Sequence, residues 1–208
     1  MRSAIVLGAG MVGVATAVHL KRRGWSVTLI DRKPPGRETS YGNAGIIQSE
    51  ALRPYPMPRD WRSLLRIATG GTNDVRYRAM TLPQHLRPLL SYWWHSAPKR
   101  HDRIAAAYAE IIARAAREHE DLIGEADAGA LVRRDGFRVL YREQATFDAE
   151  VAAAEALRAA HGVKFSILTA RELKQAEPGL LDAGLGGLHW LEPWTVSDPG
   201  GLVEAYAG

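Results

Sequence analysis

Ala4-Ile5-Val6-Leu7-Gly8-Ala9-Gly10-Met11-Val12-Gly13 is the stretch whose reading decides the fold. Its first four residues form a short apolar run that ends at glycine, the pattern of a strand buried on both faces. From Met11 to Arg23 the spacing turns helical, and the basic Lys21-Arg22-Arg23 followed by Gly24 is a helix stop. Ser26 to Ile30 is a second β-branched run closed by Asp31, so a βαβ unit occupies the first thirty or so residues. Within it Gly8, Gly10 and Gly13 make GxGxxG between a strand and a helix, with Asp31 eighteen residues beyond Gly13. Each position has a physical reason: Gly8 for a tight turn, Gly10 for backbone approach to a pyrophosphate, Gly13 for close helix–strand packing. The helix start over Ala9, Gly10, Met11 and Val12 offers N–H groups and a partial positive charge to phosphates, and Asp31 can accept from ribose hydroxyls. The pattern therefore predicts a dinucleotide site, with a ligand-free glycine turn as the competing reading.

The residues after Asp31 bear on which dinucleotide. A nicotinamide domain proceeds through another helix to a third strand, whereas this chain enters Pro34-Pro35-Gly36 and then the loop Glu38-Thr39-Ser40-Tyr41-Gly42-Asn43-Ala44-Gly45. Small and hydroxyl-bearing residues there suit a chain running beside an extended cofactor. A solvated turn explains the same composition.

The opening GxGxxG, the Asp31-Arg32 pair, Glu38-Thr39-Ser40 and Asn43-Ala44-Gly45 resemble the N-terminal part of FAD-dependent D-amino-acid dehydrogenases, within the wider D-amino-acid oxidase family. The resemblance implies FAD, with Gly8, Gly10, Gly13 and Asp31 on its ADP half and Thr39, Ser40, Asn43, Ala44 and Gly45 in the loop that approaches the flavin. It implies oxidative deamination of a D-amino acid or related small amine to a 2-oxo acid and ammonia. Asp31, where many FAD proteins carry Glu, keeps an NAD(P)-dependent dehydrogenase open. A third reading is a non-catalytic remnant, or a subunit that needs a partner chain to complete its fold.

Composition narrows the field. With 46% hydrophobic and 24% charged residues over 208 positions, the chain has the balance of a soluble globular protein, not of a disordered or collagen-like one. It has no cysteine, which removes disulfides, thiolate nucleophiles and cysteine-ligated metals. A formal charge of +4 is too mild to indicate nucleic acid. Between Ala51 and Arg103, however, ten basic residues stand against Asp60, Asp74 and Asp102, a net +7. That basic, aromatic stretch suits a substrate carboxylate or peripheral contact with the inner face of a membrane, against the plainer reading of an arginine-rich solvated surface. No segment approaches the ~20 apolar residues of a membrane span, and the first residues fail as a signal peptide because the apolar run breaks at Gly8. A cytoplasmic location is the expectation.

The fold expected is α/β: a Rossmann-like FAD-binding βαβ start, incomplete, with an inserted α+β substrate domain. The FAD-binding part is assigned to residues 1–50 and 197–208, the insertion to 51–196. Within the insertion, prolines at 54, 56 and 58 interrupt the chain, and helices are expected over about 61–68, 84–95, 102–124 and 147–160. Strands are expected over 136–142, 164–168 and 187–192. Thr169 to Glu172 has capping-box spacing, and Asp198-Pro199 should open a last helix. The seven histidines show no HxxxH pair, so no metal site is expected. His119, among Glu118, Glu120 and Asp121, reads as part of a solvated face. Trp93-Trp94-His95 and Trp190 read as core ahead of a substrate pocket. The catalytic residues and the arginine that would anchor a carboxylate are not legible among 22 arginines.

Overall fold

The computed structural model describes residues 2–71 and 79–208. Asp74, Arg76 and Arg78 of the basic stretch lie outside the described residues. In chain order the elements begin β1 (Ser3–Leu7), α1 (Met11–Arg22), β2 (Ser26–Ile30), β3 (Ile46–Ile47), α2 (Trp61–Ala68), α3 (Leu82–His95), α4 (Pro98–Ile112) and α5 (Ala115–Glu125). They continue with β4 (Val132–Arg133), β5 (Phe137–Tyr141), α6 (Gln144–His161), β6 (Phe165–Thr169), α7 (Ala170–Ala176), β7 (Gly186–Trp190), β8 (Trp194–Val196) and α8 (Pro199–Ala207). The class is mixed α/β.

Two compact units result. The first joins Met1–Glu50 to Ala113–Gly208, and the second is Ala51–Ile112. Packing thus places 113–196 with the N-terminal residues. A division by role, 1–50 with 197–208 against 51–196, need not coincide with it.

In the first unit β1 and β2 pair in parallel, Ser3 opposite Ser26 through Leu7 opposite Ile30. α1 lies over the face that carries Val6 and Leu29, and its Val14 is buried with Leu122 and Ile123 of α5 and Leu202, Val203 and Tyr206 of α8. Full burial of each such aliphatic side chain contributes roughly 1.5–3 kcal/mol. The expectation that the first strand is buried on both faces is not met: Ile5 and Leu7, on the face away from α1, are 68% and 79% exposed. Among the described residues no element covers that face.

A second, three-stranded sheet has the order β3-β8-β4 and is antiparallel. Pairing Ile46 with Thr195 and Ile47 with Trp194, it ties the loop after β2 to the chain just before α8. A third sheet, β5-β7-β6, is also antiparallel, with Leu188 at its centre fully buried. The capping box opening α7 is present, Thr169 N–H donating to Glu172 at 2.8 Å and Glu172 N–H to the Thr169 hydroxyl at 3.3 Å. Asp198 caps α8 by accepting from Gly201 N–H at 2.8 Å.

Two helices differ from expectation. The single helix over 102–124 is α4 and α5, broken at Ala113-Arg114, because the apolar stripe that looks continuous in sequence serves two units and the break falls where the chain leaves one for the other. α6 begins at Gln144, three residues ahead of the expected start, so Thr146 is inside it and its hydroxyl donates to Glu143 at 2.8 Å.

Candidate functional site

The βα turn after β1 is built by two different glycine requirements. Gly8 has φ +104° with open space where a Cβ would stand, so the demand there is conformational. Gly13 has an ordinary backbone, but a Cβ would overlap the Gly8 carbonyl oxygen, so its demand is steric. The turn is held to β2 by Gly8 N–H donating to Ile30 O at 2.8 Å. Val14 N–H to Gly10 O at 3.0 Å is the first bond of the α1 ladder, which leaves the N–H groups of Val12 and Gly13 ahead of it at the positive end of the helix.

Asp31 lies at this turn. Its carboxylate accepts from Ala9 N–H at 2.6 Å and Lys33 N–H at 3.2 Å. The Ala9 bond first, then Lys33, holds its pKa below the usual Asp value, so the group is an anion and an acceptor. Ser40 is brought to the same place from the other side of the loop. Buried, it accepts from Met11 N–H at 3.2 Å, and a Cβ on Gly10 would stand 3.4 Å from its hydroxyl oxygen. The structure thus corrects one detail: the N–H groups of Gly8, Ala9 and Met11 already have protein acceptors, so the turn does not present an unbroken row of free donors.

The rest of the loop is anchored partly on the turn and partly elsewhere. Gly36 N–H donates to Ala9 O at 2.9 Å, and Gly36, with φ +75°, has no room for a Cβ because the Gly200 carbonyl fills it. Arg32 forms a fork on Glu38, both bonds 3.0 Å, and Lys33 reaches the same carboxylate at 3.0 Å. These exposed pairs occupy the Arg32 guanidinium on Glu38. Asn43 accepts from Gly45 N–H through Oδ1 at 2.8 Å. Gly45 accepts from Val196 N–H at 2.7 Å, and a Cβ there would overlap the Val196 carbonyl. Gly45 is therefore glycine because β8 approaches it closely, a reason the sequence does not disclose. Thr39 and Ala44 are exposed.

Gly8 to Gly13, Asp31 and Ser40 come together, while Gly45 is fastened to β8, Asn43 to Gly45, and Arg32 to Glu38. Open space beside Gly8 and Gly42, two helix N–H groups ahead of the ladder and one ionised carboxylate fit the diphosphate and ribose of a dinucleotide.

Of the other residues singled out in the sequence, some stand as read and some do not. His119 is half-buried on α5 and bonded through Nδ1 to the Tyr206 hydroxyl at 3.0 Å, not on a solvated face. Burial lowers its pKa and pushes Tyr206 up to about 12. Trp190 packs on Phe165 with ring centres 5.6 Å apart, as core. Trp94 and His95, read as core, are exposed and Trp93 is only partly buried, the two tryptophan rings carrying the guanidinium groups of Arg59 and Arg100, each 3.9 Å from a ring centre. Glu50, only 5% exposed, escaped the sequence reading because Gln48-Ser49-Glu50 looks like a polar turn. It accepts from Gln48 Nε2 at 2.8 Å and Ser49 N–H at 3.0 Å, and burial pushes its pKa up.

The family model for FAD-dependent oxidoreductases, DAO, matches residues 3–208. The chain belongs to that family. It is 32% identical over 211 residues to a D-amino-acid oxidase of Bradyrhizobium diazoefficiens, covering 99% of this chain and 49% of that one. It is 34% identical over 184 residues to a D-amino acid dehydrogenase of Cereibacter sphaeroides, covering 85% and 40%. Among solved structures, iminodiacetate oxidase from Chelativorans sp. BNC1 superposes with a TM-score of 0.58 at 23% identity, covering 99% of this chain and 43% of that one, a likeness of fold. The chain spans half or less of the length of the curated relatives it matches. FAD is the cofactor of this family, which closes the nicotinamide alternative that Asp31 left open.

Proposed function

We propose that this chain carries the nucleotide half of an FAD-dependent enzyme that oxidises a D-amino acid, or a related small amine, to a 2-oxo acid and ammonia. The observation that carries the reading is the meeting of Asp31, Ser40 and the Gly8–Gly13 turn at the start of α1, in a chain of this family. In the proposed arrangement the N–H groups of Val12 and Gly13 would hold the diphosphate, and Asp31 would accept from the ribose. Thr39, Ser40, Asn43, Ala44 and Gly45 would line the path toward the flavin ring, and Arg32 is held on Glu38.

Bound FAD supplies the two-electron acceptor that amine oxidation needs. The substrate gives up a hydride equivalent from its α-carbon and a proton from nitrogen, and water converts the imino acid to 2-oxo acid and ammonia. What the protein adds is orientation, a cation for the substrate carboxylate and control of water. By role, residues 1–50 and 197–208 would bind FAD, and 51–196 would face the substrate. The proposed location is the cytoplasm, with peripheral contact at the inner face of a membrane as the alternative; no helix among the described residues is long and apolar enough to cross one.

A second reading is favoured by the open face of the β1–β2 sheet: the chain is a subunit whose FAD site is completed by a partner polypeptide. A parallel sheet is ordinarily covered on both sides, and here Ile5, Leu7 and Ile30 are exposed. The two readings separate in one set of measurements. Purified chain is examined by visible spectroscopy for bound flavin, titrated with FAD by calorimetry, and assayed with a D-amino-acid panel and an artificial electron acceptor. Weak FAD binding, weakened further by Gly10→Val and Asp31→Ala, supports the site in both readings. Stoichiometric flavin with amine-dependent bleaching in the chain alone rejects the partner-dependent one. FAD binding untouched by either substitution rejects the site.

A further inference from the structure

Gln48-Ser49-Glu50 is the polar turn that the chain enters on leaving β3, and the FAD-binding reading gives it no role. Glu50 organises it. Only 5% exposed, its carboxyl accepts from Gln48 Nε2 at 2.8 Å and from Ser49 N–H at 3.0 Å, and among the described residues no cation acts on it. A carboxyl buried without a cation is unfavourable, since desolvation penalises its charge and pushes its pKa up. What it does here is fix the turn, by taking the amide of Gln48 and the N–H of Ser49 together.

The turn leaves the Ser49 hydroxyl over. Its oxygen is buried and has no hydrogen-bond partner. Among the described residues one other buried side-chain atom is in that state, Arg138 Nε, and that guanidinium is already paired with Glu177 through Nη1 at 2.9 Å. Buried hydroxyls in folded proteins nearly always find a partner, so this one is placed for a group that binds. The run of chain that leads to it points to the group. Ser40, nine residues earlier, stands on Met11 N–H at the phosphate end of the site. Between the two, Gly45 accepts from Val196 N–H, and Ile46 and Ile47 pair with Thr195 and Trp194, so the last part of the run is laid along β8 and Ser49 is not free to fold back on the glycine turn. A cofactor that follows this run from its phosphates meets Ser49 with its other half.

We propose that the Ser49 hydroxyl donates to the flavin half of FAD and that Glu50 is the positioning residue that aims it. The contact rests on the FAD-binding reading and carries it past Gly45, to residues that neither glycine spacing nor small-residue composition marks.

Calorimetric titration of the purified chain with FAD and, separately, with ADP tests it, because ADP has the ribose and diphosphate without the flavin. Asp31→Ala should weaken both ligands. Ser49→Ala should weaken FAD by about tenfold, the loss of one hydrogen bond, and leave ADP within about twofold. Glu50→Ala should reproduce that selective loss. Glu50→Gln, which keeps an acceptor oxygen for Ser49 N–H, should restore most of the FAD affinity, and an unchanged circular dichroism spectrum separates each effect from misfolding. FAD affinity unchanged by Ser49→Ala, as for a hydroxyl paired only with water, overturns the contact while leaving the nucleotide site standing. So does an equal loss of FAD and ADP in that variant, or FAD held no more tightly than ADP by the unsubstituted chain. A loss in Glu50→Gln as large as in Glu50→Ala overturns the positioning role. Binding of neither ligand overturns the contact and the nucleotide site together.

Discussion

The two units are held together by different means. In the first, branched aliphatic side chains of α1, α5 and α8 bury one another, and backbone bonds, Gly8 N–H on Ile30, Gly36 N–H on Ala9 and Val196 N–H on Gly45, join the Asp31 and Ser40 side chains in tying the glycine turn and its loop. In the second, the buried set among the described residues is mostly small or polar, Ala105, Ala109, Ser96 and His101, with Leu52 its one large apolar member. Side chains on main-chain groups do the fastening there. His101 Nε2 meets Pro54 O at 2.7 Å, the Tyr92 hydroxyl donates to Tyr55 O at 2.6 Å, and Ser96 Oγ accepts from Met57 N–H at 2.8 Å. A unit that fixes itself by polar ties does not consume its leucines as core. They remain available to something outside it.

Substitutions in each unit put this contrast at risk. The largest effect is expected at Gly13→Val, whose Cβ would overlap the Gly8 carbonyl: a loss of more than about 3 kcal/mol in urea unfolding, with FAD binding lost as well. If Gly13→Val melts like wild type, the close helix–strand approach is not what the glycine is for. Next, Leu202→Ala in the first unit should cost about 2–5 kcal/mol, whereas Leu86→Ala in the second should stay within about 0.5 kcal/mol. Equal losses at the two leucines would erase the difference between the units. His101→Ala, leaving Pro54 O without its partner, should cost about 1–3 kcal/mol, felt in the second unit's own amide-exchange protection.

The smallest effect belongs to His119. Burial lowers its folded pKa below the ordinary 6.5. Stability is therefore complete above pH 6.5 and declines as pH falls, because the unfolded chain takes the proton first, until the folded imidazole protonates too. His119→Gln should flatten that part of the urea midpoint against pH. An unchanged slope would show that another group sets it.

The βαβ start was readable because each of its signals is local: strand, glycine spacing, helix stop and terminal acid lie within thirty-one residues and each arises from backbone geometry. The capping box at Thr169 and the Asp198 cap were readable for the same reason. The break between α4 and α5 was not, since a continuous apolar stripe does not reveal that its halves face different units. Glu50 and the His119–Tyr206 pair were missed because burial is a property of what the rest of the chain places around a residue.

Local sequence was enough for the strand–glycine-turn–helix, the small-residue loop after it and the absence of any cysteine chemistry, because conformational freedom, spacing and residue type are all local. Tertiary packing was needed to bring Ser40 onto the start of α1 across twenty-nine residues, to make Gly45 a glycine on account of β8, and to leave the leucines of α3 facing outward. Those outcomes depend on which distant backbone arrives beside a residue and which apolar stripes find a neighbour. Periodicity marks a stripe, but only packing shows whether it is covered.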